Sequence, residues 1–106
     1  MSKAFDLEGL LQTTKPGRPY HEFLRISSMS AGVYVLPAGA ADGQRPHRED
    51  EIYYVVRGRA KMRLGSEERS VQEGTVIFVD TGLEHRFFDI EQELVLLVVF
   101  APAETA

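Results

Sequence analysis

Apolar side chains in residues 5–12 fall at Phe5, Leu7, Leu10 and Leu11. That spacing fits one or two helical turns, and Gly9 works against anything longer. Residues 13–19 carry two prolines and a glycine and read as a loop. Beyond them the pattern shortens to the period of β-structure. Residues 20–26 read as a strand of imperfect alternation, and 31–36 as a cleaner one closed by Pro37-Ala38-Gly39. Residues 52–56 are aromatic and β-branched and stop at Gly58. Residues 59–64 alternate strictly, with Arg59, Lys61 and Arg63 on one face and Ala60, Met62 and Leu64 on the other, as in a sheet with one wet face. Gly65-Ser66 suits a hairpin turn into a short return strand at 70–72. Gly74 turns the chain into 75–79, and strands at 84–88 and 93–100 follow before Pro102. About eight short strands between glycine- and proline-rich turns predict an all-β sandwich or barrel after a short irregular or helical N-terminal segment. No amphipathic helix interrupts them, so a parallel α/β sheet is not expected.

With 106 residues the chain is expected to form one domain, residues 1–106, large enough for one core. A net charge of −4 argues against a nucleic-acid partner, since phosphate binding draws on a basic surface. There is no cysteine, so disulfides, iron–sulfur clusters and thiolate zinc sites are excluded. The N-terminal residues lack the apolar stretch of a signal peptide, and the apolar run at 94–100 is too short to span a bilayer. A cytoplasmic protein with no membrane partner is the expectation. That run is apolar on both faces, so a partner subunit could cover one of them, and a homodimer is expected.

The chemistry concentrates between Gly43 and Gly58, where His47 and Glu51 stand four residues apart just before a strand. His85 follows a second strand and the turn Asp80-Thr81-Gly82. Two neutral imidazoles and a carboxylate make a three-ligand set with open positions, suited to a divalent transition metal. On one straight strand His47 and Glu51 would lie about 13 Å apart, at roughly 3.3 Å per residue, too far for one ion. The chain must therefore bend between them, by a helical turn or by a strand–turn–strand; the β-rich flank favours the second. Glu51, Tyr53 and Val55 share one strand face, as do His85, Phe87 and Asp89. If both faces turn inward, Glu51 and His85 meet inside a wall of Tyr53, Val55 and Phe87. Tyr53 is a candidate proton donor to a bound ligand, Asp89 a candidate acceptor orienting His85, and Arg45 a candidate partner for an anionic substrate group. His21 and the run Arg48-Glu49-Asp50 are read as strand surface and solvated turn.

These residues resemble the two motifs of the cupin family. Glu51, six intervening residues and Gly58 match the end of the first motif. Gly74, five residues, Asp80, Thr81, Gly82, two residues and His85 match the second, with Asp80 in place of proline and Asp89 in place of asparagine. The resemblance covers roughly residues 30–100 and implies a double-stranded β-helix, or jelly-roll, barrel. It also implies that His47, Glu51 and His85 look inward at a metal. The first motif's leading histidine is replaced here: its place falls on Arg45, or on Gln44 if one more residue precedes the glutamate. Arginine has no acceptor for a metal, whereas the Gln44 carbonyl can serve as a fourth ligand if Pro46 sets a one-residue bulge.

The functional expectation is a metal-dependent enzyme of dioxygenase, isomerase or lyase type acting on a small organic molecule. Iron, manganese, nickel or zinc would serve, with Glu51 and Tyr53 as the candidate catalytic groups. A non-catalytic binding or sensing module is the alternative, favoured by the missing histidine. There is no nucleophile triad spacing, phosphate-binding glycine loop or dinucleotide fingerprint.

Overall fold

The computed structural model describes residues 3–15, 17–43 and 46–105. A five-residue helix, α1 (Leu7–Leu11), precedes β1 (Tyr20–Ile26), β2 (Met29–Leu36), β3 (Asp50–Leu64), β4 (Glu67–Gln72), β5 (Val76–Val79) and β6 (His85–Ala101). The all-β expectation holds, including the short helical N-terminus. α1 rests on β1 and β2 without burying any residue of its own, while Phe5 packs against Phe23, the rings tilted and their centroids 4.9 Å apart.

The strands form one antiparallel network in the order β1-β2-β6-β3-β4, with β5 on the free flank of β3. Eight expected strands become six because two pairs of them are continuous. Residues 52–56 and 59–64 are both β3, and 84–88 and 93–100 both fall in β6. These two long strands pair with each other from Asp50↔Ala101 to Leu64↔His85, with register shifts around Arg57 and Arg59. On β3 the buried positions are 51, 53 and 55, then 60 and 62; on β6 they are 85 and 87, then 90, 94, 96, 98 and 100, with Val95 also covered on the other face. Each strand thus changes which parity faces inward, as a bulge does. The changes occur beside residues of positive φ, Gly58 at 102° and Asp89 at 47°. Bending there lets both halves of each strand wrap one core, built from Tyr34, Leu36, Tyr53, Met62, Phe87 and Leu96 with their neighbours.

The segment between β2 and β3 is anchored by Asp42, buried at 8% exposure. Its carboxylate accepts from the Tyr34 hydroxyl and the Phe87 backbone N–H, both at 2.9 Å. Asp89, a candidate acceptor for His85 on strand parity, instead leaves the inward face. Its positive φ turns the side chain to solvent, where it lies 3.8 Å from Lys61 Nζ.

Candidate metal centre

Two stitches bring the histidines together. The Gly82 N–H donates to the His47 carbonyl at 2.7 Å. The Thr81 backbone N–H and hydroxyl both donate to Asp50 Oδ1 at 3.0 Å. The turn leading into β6 is thereby fixed against the segment leading into β3. His47 sits before a bend at Arg48-Glu49, Glu51 is the second residue of β3, and His85 is the first of β6. The bend supplies the shortening that a straight strand would not.

Glu51 Oε1 lies 3.3 Å from His85 Nε2 and 3.9 Å from His47 Nε2. One ligand atom from each of the three residues fits within 4.8 Å of the others. Ligand atoms held tetrahedrally at about 2.1 Å from a common ion stand about 3.4 Å apart, so the cluster is already close to that shape. The three side chains could hold a metal ion. The polar inventory fits one as well: both carboxylate oxygens of Glu51 and Nε2 of His85 are buried with no hydrogen-bond partner. A carboxylate at 1% exposure with nothing to accept from is costly.

The far side of the His85 ring is defined. Its Nδ1 lies 2.9 Å from the Leu83 carbonyl, and a carbonyl only accepts, so Nδ1 carries the proton and a neutral ring turns the Nε2 lone pair toward Glu51. The basicity of His85 is raised. Burial is the largest single influence and lowers it, but contact with Glu51, the Leu83 carbonyl and the charges of Glu51 and Asp42 together outweigh burial. His47 stands between the cluster and Glu104, whose Oε2 is 3.3 Å from His47 Nδ1. The Glu104 carboxyl is pushed above the ordinary carboxylate range, first by burial; His47 opposes this, while Glu51, Glu49 and Glu22 add to it.

Tyr53 lies beside the cluster, and Phe87 packs against Tyr53. The Tyr53 ring is fully buried, 5.9 Å from His85 and 5.0 Å from Phe87. A cavity of about 430 Å3 opens beside His47 and Glu51, lined by Tyr20, Tyr34, Leu36, Val98, Phe100 and Glu104 among others; Tyr53 is not in that lining. The Tyr20 hydroxyl is buried without a partner. A larger cavity of about 600 Å3, under α1, touches none of the three cluster residues. Gln44 and Arg45, the candidates for the missing ligand and for substrate binding, lie outside the described residues. His21 is on β1 opposite Val33 and takes no part in the cluster.

Three residues near the cluster carry no signal in the sequence. Glu49, expected in a solvated turn, is instead buried at 3% exposure and accepts from the Thr105 hydroxyl at 2.8 Å. Tyr20 reaches the cavity from the first strand, and Glu104 from beyond the last one. Near Glu104 the sequence offers Pro102, but that marks a strand end rather than a site.

Comparison with known proteins agrees with the fold. Uncharacterized protein SCO3923 of Streptomyces coelicolor is 43% identical over 104 residues, covering 97% of this chain and 99% of that protein. The crystal structure of TT1209 from Thermus thermophilus superposes with a TM-score of 0.77 at 26% identity, covering 96% of this chain and 99% of that one. DMSP lyase DddQ from Ruegeria pomeroyi superposes with a TM-score of 0.70 at 20% identity, covering 85% of this chain and 52% of that one, a likeness of fold. The model of the cupin domain family matches residues 32–100, and this chain belongs to that family.

Proposed function

We propose that this protein is a metal-dependent enzyme acting on a small organic molecule held in the cavity beside His47 and Glu51. One observation carries the reading: a buried carboxylate with both oxygens unpartnered, faced by two imidazole nitrogens at 3.3 and 3.9 Å. His47, Glu51 and His85 would hold a divalent ion and leave positions for substrate. When bound, such an ion supplies Lewis acidity, or oxygen chemistry if it is iron.

The chain's own contributions follow from position. Leu36, Val98 and Phe100 give the cavity apolar walls that exclude water and select a compact, largely apolar ligand. The Tyr20 hydroxyl, lacking a protein partner, is available to donate to a polar group on that ligand. Glu51 is the group placed to take a proton from a substrate bound alongside it. Tyr53 holds the His85 ring in place from behind. Gln44 remains the proposed fourth ligand. A second copy of the chain is proposed to cover the apolar residues Ile52, Tyr54, Val76 and Phe78, which β3 and β5 leave exposed.

Elemental analysis of untagged protein tests the reading. About one equivalent of iron, manganese, nickel or zinc is expected, and His47→Ala and His85→Ala should each lose it while remaining folded. Folded wild type that takes up none of the four after reconstitution would leave a binding module instead. A thermal-shift screen of small organic acids, alcohols and ketones with each metal then narrows the substrate.

A further inference from the structure

We propose that Glu104 is a positioning residue for His47: it accepts from Nδ1 and so presents the Nε2 lone pair to the ion. This rests on the metal reading above. A neutral imidazole carries one proton, and the partner of one nitrogen decides which face of the ring can ligate. His85 has that partner in the Leu83 carbonyl. On His47 the equivalent place is taken by Glu104 Oε2, 3.3 Å from Nδ1, while Nε2 faces Glu51 Oε1.

The segment that carries Glu104 is built into the fold rather than lying loosely over it. The Glu104 N–H donates to Ser30 Oγ at 2.8 Å, and Ser30 is fully buried on β2. The Glu104 carbonyl accepts from Arg25 Nη2 of β1 at 2.8 Å. The next residue, Thr105, donates through its hydroxyl to Glu49 at 2.8 Å, beside the bend that places His47. Backbone and side-chain anchors on both sides thus fix the carboxylate against the outer nitrogen of the ring. The residues after the last strand become part of the metal centre.

Long-range 1H–15N correlations of the imidazole in metal-free, 15N-labelled protein near pH 8 read the tautomer directly. Wild type should show His47 protonated on Nδ1. Glu104→Ala should shift it toward the Nε2-protonated form that an unrestrained imidazole prefers, and weaken Zn2+ and Co2+ binding about 10- to 100-fold. Glu104→Gln should keep the tautomer and most of the affinity, because an amide oxygen also accepts. Ser30→Ala, which frees the segment without touching His47, should move both readouts the same way by less. An unchanged tautomer in Glu104→Ala overturns the proposal. So does a Glu104→Gln protein that binds metal as poorly as Glu104→Ala, since the carboxylate would then be a ligand itself. Wild type that binds neither ion sinks the metal reading, yet the tautomer measurement, made without metal, still decides what Glu104 does.

Discussion

Glu51 is where stability and function pull in opposite directions. Beside a neutral His85, whose Nε2 carries no proton, the buried Glu51 carboxylate has no donor to accept from, a condition that costs about 1–3 kcal/mol for a neutral polar group and more for a charged one. Glu51→Gln removes the charge at nearly constant shape. The metal-free variant should melt several degrees higher than metal-free wild type, since about 1 kcal/mol moves the midpoint of a domain this size by roughly 4–8 °C. The variant should also gain nothing from added metal, whereas wild type should rise. Melting curves with and without chelator check both halves, and a Glu51→Gln protein that melts lower without metal would remove the carboxylate from the list of strained groups. Tyr20 and Tyr34 make a second prediction. Both phenols are raised well above their ordinary value, first by burial, with nearby carboxylates adding to it. Above pH 10 the unfolded chain therefore gives up phenolic protons that the native one retains, so stability present below pH 10 is lost as pH rises further. Tyr20→Phe deletes a hydroxyl that has no partner and should make this alkaline loss shallower, at no cost near neutral pH. Circular dichroism across the alkaline range measures it.

At the scale of elements, the decisive positions are those where long strands bend. A Cβ on Gly58 would meet the Glu93 carbonyl oxygen at 2.2 Å, and the φ of 102° is itself unfavourable for other residues. Strand β6 cannot retreat, because β2 holds its other side from Ser30↔Phe100 to Leu36↔Leu94. Gly58→Ala should cost about 3 kcal/mol or more, seen as a drop in the urea midpoint, while Gly74→Ala, with open space around it but a positive φ, should cost less. These bends also explain how much was legible beforehand. Alternation located each stretch of strand, and Gly58 marked a break, because local pattern reports local pleat. It does not report that two stretches are one strand with a bulge, since that depends on a partner some 27–41 residues away. The centre divides the same way. Glu51 and His85 were readable from spacing and face. Glu104, Glu49 and Asp42 were not, because each acquires its role from contacts 45 to 79 residues distant that leave no periodic trace.

For the whole molecule, the open question is what covers the outer face of β3 and β5. Ile52, Tyr54, Val76 and Phe78 are 44%, 40%, 61% and 54% exposed. The registers Ile52↔Phe78 and Tyr54↔Val76 set them side by side, and Ile52↔Val99 and Tyr54↔Leu97 extend the strip toward half-buried residues of β6. The expectation of a covered apolar surface arose from residues 94–100, but that strand is largely buried by its own neighbours, and the exposed surface lies next to it. Single exposed apolar residues mean little; four in register on two paired strands form a contiguous patch. A two-fold axis through such a patch lets it meet its own copy, with no need for matching charges. Sedimentation at micromolar concentration should therefore give a dimer. Phe78→Glu should give a monomer of unchanged secondary structure, because the side chain is already mostly outside the core and the charge would be buried only in the pair. Metal content should be the same in both, as His47, Glu51 and His85 face the opposite side of the sheet. A wild type that sediments as a monomer throughout would separate the strip from self-association and leave its partner to another kind of molecule.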